Sequence, residues 1–393
     1  MDFATRTHKL DSTFMDEILK AATIPDLISF AGGLPNPELF PADAIREASD
    51  KVLSSDGKTA LQYNITEGYG PLREYIAARY YGDHPEVSAD NIVITTGSQQ
   101  ALDMIGRLFI NPGEGIVFER PGYLGAIQAF YLSEPEFHLV PMLEDGVDVE
   151  AAALALASNP EPKLFYGVTN FQNPTGLTYS LDTRERLADA LRRHETLFIE
   201  DNPYGEIRFS GEKPPGMIDY LGFQAISLGS FSKVLAPAMR MGWLCASHEI
   251  VRGIIAIKGA TDMHTNYLSQ RVLYQFLIDN DFDAHIAATI DVYRDKRDLM
   301  LRMLEKCVPA EAGVHWTVPN GGMFTWMTLP EGVAALDLLA AVKERGMYFI
   351  PGVPFYVGAA DPGTLRLNYS NSTDESIVRG IEILGETIRE LCA

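Results

Sequence analysis

The sequence predicts an α/β fold: a large domain on a mostly parallel sheet flanked by helices, followed by a smaller α+β C-terminal domain. Three observations carry this. Short apolar runs of strand length alternate with amphipathic stretches through the middle of the chain, the pattern of a parallel sheet covered on both faces. A long helical pattern at 281–308 is followed by a change of style. At 393 residues the chain also exceeds a usual single core.

Taken in order, residues 1–44 read as an N-terminal arm and first helix packing with the small domain, rich in Pro and Gly at "FAGGLPNPELFP". Residues 45–285 form the large domain, with strands expected at 91–96, 115–119, 163–169, 196–201, 225–230 and 242–247. Helices are expected between them at 98–109, 124–132 and 182–194. The run at 242–247 follows its neighbour too closely for a helical crossover and is expected to be antiparallel. Residues 286–393 form the small domain: paired strands in "GVHWTVPNGGMFTWMTLP", a helix at 332–345, the run "TLRLNYS" and a last helix from about 373.

Composition narrows the function classes. With 32 basic and 53 acidic side chains the formal charge is −21, which argues against a nucleic-acid surface. Cys245, Cys307 and Cys392 are odd in number and widely spaced, so neither a disulfide framework nor a zinc site is expected, and a reducing cytoplasm fits. No metal site is expected. The N-terminus lacks a signal-peptide core, and no apolar run reaches the ~20 residues that span a bilayer.

Chemistry gathers where an open α/β sheet binds ligands, beyond the carboxyl ends of its strands. "TGSQQAL", "RPGY", "NFQNPTG", "NPYGE" and "FSK" each follow an expected strand. Gly97, Ser98 and Gln99 open a helix, where backbone N–H groups make a phosphate seat, and Ser230, Ser232 and Arg240 add hydroxyls and a guanidinium. For Ser98 plain helix capping, and for the two serines turn chemistry, remain the alternatives. Asp201 ends an apolar strand, where a buried carboxylate needs a cationic or N–H partner; "DNPYG" also suits a turn. Lys233 lies among hydroxyls with Arg240 nearby, which favours a free, nucleophilic amine; a non-covalent phosphate-binding lysine is the alternative. "NPTG" at 173–176 suits a tight turn with a cis Asn173–Pro174 bond, Tyr123 a packed aromatic, and Arg366 a surface cation.

"NPTG", "DNPYGEIRF" and "SFSKVLAPAMRMGW" place Asn173, Asp201 and Lys233 at spacings of 28 and 32. With "ISFAGGLPNPELFP", "LQYNITEGYGPLREYIA" and "ITTGSQQALDMIGRLF", the chain resembles, over essentially its whole length, the class I/II pyridoxal-phosphate aminotransferases of fold type I. Within them it looks like the 2-aminoadipate and broad-specificity branch. The resemblance implies a seven-stranded sheet in the large domain, pyridoxal 5′-phosphate as cofactor, and ping-pong transfer of an amino group from an amino acid to a 2-oxo acid. Glutamate and 2-oxoglutarate are the expected common pair. It implies that Lys233 carries the cofactor covalently and moves the proton, that Asp201 pairs with the ring nitrogen, and that Asn173 and Tyr204 bond its phenolic oxygen. Tyr123 would stack on the ring; Ser98, Gln99, Ser230, Ser232 and Arg240 would hold the phosphate. Arg366 would clamp the substrate carboxylate, with Gly33 allowing close backbone approach and Asn173 also facing substrate. Tyr63 would reach the phosphate of a neighbouring subunit, making a homodimer with shared sites.

One position departs from the branch. Asp16, after Met15 and before Glu17, stands where users of acidic side chains often carry arginine, so neutral, aromatic or branched substrates are favoured over 2-aminoadipate-like ones. The first helix, the "HTNY" segment at 264–267 and the small domain are expected to shape the side-chain pocket. Two rivals stand beside transfer: a lyase, decarboxylase or racemase on the same cofactor, and a transaminase-like ligand-sensing regulator. The second is disfavoured by the acidic charge and by an arm motif that begins within the first dozen residues.

Overall fold

The computed structural model describes residues 2–8, 10, 24 and 27–391. Met15, Asp16, Glu17 and Cys392 lie outside the described residues.

The arm contributes β1 (Ile28–Ser29). Next come β2 (Ile92–Thr95), β3 (Gly115–Arg120), β4 (Glu136–Leu143), β5 (Gly146–Val147), β6 (Leu164–Gly167), β7 (Leu197–Asp201), β8 (Ala225–Ser230) and β9 (Gly242–Cys245). They form one sheet in the order β2-β9-β8-β7-β6-β3-β4-β5. From β4 through β3, β6 and β7 to β8 every pairing is parallel, whereas β9 is antiparallel to both β8 and β2, as its short connection required.

The physical reason for four of these strands is visible in their burial. Every residue of β2, β6, β8 and β9 is buried, the signature of strands covered on both faces. The strand that sequence periodicity missed is β4. It contains Glu136, His138 and Pro141 and only Val140 is fully buried, so it lacks the continuous apolar run of the other strands. The two-residue β5 pairs with it and brings the strands to eight, one more than expected.

The remaining strands build a second sheet: β10 (His315–Trp316), β11 (Phe324–Thr328), β13 (Ile350–Pro351) and β14 (Thr364–Asn368), in the order β10-β11-β14-β13 and all antiparallel. β12 (Met347–Tyr348) instead pairs in parallel with β1. The arm is fixed further by Asn368 N–H donating to the Phe30 carbonyl at 2.8 Å and the Ser370 hydroxyl to the Leu34 carbonyl at 2.8 Å. The helix Phe282–Cys307, capped by the Asp281 carboxylate on Ala284 N–H, packs along the helix Asp374–Leu391. The latter buries Ile377, Ile381, Leu384 and Ile388, a stripe at helical spacing.

Candidate active site

Beyond the carboxyl ends of β6, β7 and β8 lies a cavity of about 230 Å³. Its walls contain Gly33, Ser98, Gln99, Tyr123, Asn173, Asp201, Tyr204, Ser230, Ser232, Lys233, Arg240 and Arg366. Tyr63, expected at the cofactor phosphate, is elsewhere: it is exposed, edge-on to the His264 ring at 5.9 Å.

Asp201 is the last residue of β7 and is buried. Its Oδ2 accepts from the Tyr166 hydroxyl at 3.0 Å, while Oδ1 is buried with no partner. Burial pushes the carboxyl up to about 7 against the opposing Tyr166 hydrogen bond. An orphaned carboxylate oxygen facing a cavity is a costly feature that an N–H donor would relieve.

Lys233 lies three residues beyond β8 and donates to the Gly33 carbonyl at 2.8 Å. Its side chain is half-buried, yet its ammonium is lowered to about 8, first by burial, then by Arg366, then by Arg240. The expected emphasis on Arg240 is thus corrected, since removal from water dominates and Arg366 comes next.

Arg366, on β14, is buried rather than at the surface. It donates from Nη1 to Asn173 Oδ1 at 2.7 Å and from Nη2 to the Ala31 carbonyl at 2.5 Å. Its guanidinium carbon stands 4.2 Å from the centre of the Phe324 ring and 5.0 Å from that of Phe355. It has no carboxylate partner among the described residues, and burial lowers it to about 10. Four segments of the chain therefore surround one cation, and its Nε has no partner. The Phe324 and Phe355 contacts carried no signal in the sequence.

The opposite end of the cavity is an anion seat. Gly97, not Ser98, occupies the cap position of the helix Ser98–Phe109, and no side chain caps it, so capping is excluded as the role of Ser98. Gln100 N–H donates to the Gly97 carbonyl at 3.3 Å, while the Ser98 and Gln99 N–H groups are open to a ligand. Gly97 has φ +74°, and a Cβ there would stand 2.6 Å from Arg240 Nη2, so only glycine fits beside that guanidinium. Arg240 donates to the Thr96 carbonyl at 3.2 Å and has no carboxylate partner among the described residues. The Gln99 side chain is occupied, donating to the Gly125 carbonyl at 2.6 Å. Ser230 Oγ accepts from Ser232 N–H at 3.1 Å, a turn bond that coexists with both serines lining the cavity.

The wall between these ends is the "NPTG" turn, whose Asn173–Pro174 bond is cis as expected. Asn173 donates to the Tyr204 hydroxyl at 3.4 Å, and burial holds that phenol far above its ordinary range. Tyr123 is half-buried on the cavity wall, pushed up to about 12 by burial with help from Asp201. Gly33 has room for its role: a Cβ there would approach the Phe324 ring to 3.1 Å. The "HTNY" segment does not line the cavity; Thr265 is buried behind it and His264 faces Tyr63.

Comparison with known proteins places the chain. The profile of "Aminotransferase class I and II" matches residues 26–384, and the chain belongs to that family. It is 40% identical over 398 residues to an aromatic-amino-acid aminotransferase of Thermococcus litoralis, covering 99% of this chain and 94% of that one. It is 38% identical over 395 residues to a 2-aminoadipate transaminase of Thermus thermophilus, covering 100% of this chain and 97% of that one. Among solved structures, the multiple substrate aminotransferase of Thermococcus profundus superimposes with a TM-score of 0.92 at 38% identity, over 99% of this chain and 97% of that one. The protein is a pyridoxal-phosphate-dependent amino-acid aminotransferase of fold type I, which decides for transfer among the alternatives left open above.

Proposed function

We propose that this cavity seats pyridoxal phosphate between Asp201 and the Ser98 helix, that its amino-donor substrates carry apolar or aromatic side chains, and that two copies of the chain share the site. The observation that carries the cofactor assignment is the unpartnered Asp201 Oδ1 at one end of a cavity whose other end offers open helix N–H groups and Arg240. A ring N–H would satisfy the first and a phosphate dianion the second. When bound, the cofactor supplies an electron sink for the charge left at the substrate Cα.

The chain's own residues do the rest. Lys233 is the residue that would hold the cofactor through Nζ and, as a free amine, a form its lowered pKa favours, would take the proton from substrate Cα. Asp201 would keep the ring nitrogen protonated. Asn173 and Tyr204 would bond the phenolic oxygen, Tyr123 would cover the ring face, and Ser98, Gln99, Ser230, Ser232 and Arg240 would retain the phosphate. Arg366 receives the substrate carboxylate beside Gly33 and Asn173, already oriented by Asn173 and the Ala31 carbonyl.

Lys233, Arg240 and Arg366 are thereby all engaged, and the other cavity walls include Leu34, Leu124, Val168, Pro237 and Phe355. That lining favours a neutral or aromatic side chain over a second carboxylate. Glutamate and 2-oxoglutarate as the common pair require a further cation from a partner subunit or from outside the described residues. Exposed Leu61, Tyr63, Ile65 and Met263 support a dimer face. The charge of −21 speaks against nucleic acid. No described helix is long and apolar enough to cross a membrane, and Cys245 and Cys307 are free thiols, in keeping with a reducing cytoplasm.

The test is a half-reaction screen: cofactor-loaded enzyme mixed with each of the twenty amino acids, following conversion of bound cofactor by absorbance. Leucine, methionine and the aromatic amino acids should outpace aspartate by about tenfold or more. Aspartate as the fastest donor would overturn the side-chain assignment.

A further inference from the structure

We propose that Lys258 is a positioning residue for the cofactor phosphate, fixing Thr96 from behind the turn on which the anion sits. The proposal rests on the reading above, in which Ser98, Gln99, Ser230, Ser232 and Arg240 hold that phosphate.

Lys258 lies on the helix His248–Thr261 and is 0% exposed, outside the cavity and unused by the chemistry. A lysine so placed is costly unless every proton is spent. Here all three have acceptors: Gln100 Oε1 at 2.8 Å, Thr265 Oγ1 at 2.9 Å and the Asp262 carboxylate at 3.0 and 3.1 Å. Each acceptor is itself engaged. Gln100 Oε1 also accepts from Thr96 N–H at 2.8 Å, and Gln100 Nε2 donates to Asp262 Oδ2 at 2.6 Å. The Thr265 hydroxyl donates to the Ile94 carbonyl at 3.2 Å and meets the Thr96 hydroxyl at 3.3 Å.

The cluster therefore grips residues 94–96 by a carbonyl, an N–H and a hydroxyl just before the anion seat begins. On the other face of the same turn the Thr96 carbonyl accepts from Arg240, and Gly97 leaves the space in which that guanidinium lies. Displacing the 96–97 peptide moves the first-turn N–H groups and Arg240 together. Lys258 thus acts on the phosphate through Gln100 and Thr96, without touching it.

A lysine that merely ties two helices together would lower stability and weaken every cofactor form alike. A seat-positioning lysine affects only forms that carry phosphate. Lys258→Met and Gln100→Leu are titrated, after cofactor removal, with pyridoxal phosphate and with pyridoxal, which lacks the phosphate. Absorbance reports binding through the intact Lys233. Pyridoxal phosphate affinity should fall roughly threefold to thirtyfold in either variant, the double variant should be no weaker than the single ones, and pyridoxal affinity should hold within about twofold. Equal losses for both ligands, or no loss for either, would overturn the proposal. Arg240→Gln separates the two levels of argument. If it weakens pyridoxal phosphate selectively and neither Lys258→Met nor Gln100→Leu does, the phosphate seat stands and the positioning role falls. If Arg240→Gln is itself unselective, the seat and the proposal fall together. Should Lys258→Met not fold, the uncharged exchange Gln100→Leu decides alone.

Discussion

Asp201 and Lys233 are opposite cases of one effect, since burial raises an acid and lowers a base. Asp201 has a folded pKa of about 7 against 3.8. Between those values the unfolded chain is charged while the cofactor-free folded chain still holds a proton. Stability therefore falls as pH rises through that window, and the full cost is present above it. Asp201→Asn removes the charge yet keeps an acceptor for Tyr166. Calorimetry of cofactor-free protein should find the variant more stable by about 1–3 kcal/mol at pH 8 and unchanged near pH 4. No gain at pH 8 would contradict a buried, uncompensated carboxylate. Lys233, at about 8, should capture cofactor aldehyde faster as pH rises through that value. A flat stopped-flow profile between about pH 6.5 and about 9.5 would deny the amine its lowered affinity for protons. At this scale much of the site was legible, because Asn173, Asp201 and Lys233 all follow strand ends, where sequence and chemistry point the same way. Tyr166 was not, since an aromatic inside "KLFYGVT" reads as core whether or not its hydroxyl has a task. Lys258 was invisible for the same reason: on a helix it reads as a solvated cation until tertiary packing brings Gln100 and Thr265 to it.

The element that sets the cavity's height is the turn 170–176. Gln172 is fully buried and makes four bonds: it donates to Glu119 Oε2 at 3.1 Å and the Pro121 carbonyl at 2.9 Å, and accepts from Thr175 N–H at 2.9 Å and Oγ1 at 2.7 Å. Glu119, raised to about 7 by burial, is held also by Val168 N–H and the Tyr179 hydroxyl. Gln172→Ala leaves these groups unpaired, and urea unfolding should show a loss of about 2–4 kcal/mol. Because Asn173 rides on this turn and holds Arg366, KM for amino acids should rise together with that loss. An unchanged KM would mean that the Ala31 carbonyl and the two rings suffice to aim the guanidinium. Element boundaries in the large sheet were readable because its central strands are apolar on both faces. β4 escaped because its partly exposed faces carry Glu136, His138 and Pro141, which break the apolar pattern.

For the whole molecule, the arm is bound chiefly to the C-terminal part of the chain, and its Gly33 carbonyl accepts from Lys233 beyond β8. β1 pairs with β12, Phe30 and Leu34 receive bonds from Asn368 and Ser370, and Asn36 N–H donates to the Tyr293 hydroxyl at 2.9 Å. Chain length alone suggested two units, but the arm's pairing with β12 and its bond to β14 join residues more than three hundred positions apart, which no local pattern shows. The shared-site proposal belongs here. Tyr63→Ala and Lys233→Ala should each be impaired, whereas co-refolded mixtures should regain about a quarter of wild-type sites, since half the dimers are mixed and each then has one intact centre. No recovery would argue that Tyr63 serves its own chain. The Arg366 arrangement has one more outcome. A guanidinium stripped of water, held near two rings and lacking a counter-ion among the described residues gives any visitor without a negative end a poor reception, because docking would shut a bare cation away from solvent. Tyramine and isoamylamine match tyrosine and leucine in every group but that one, and the enzyme should ignore both.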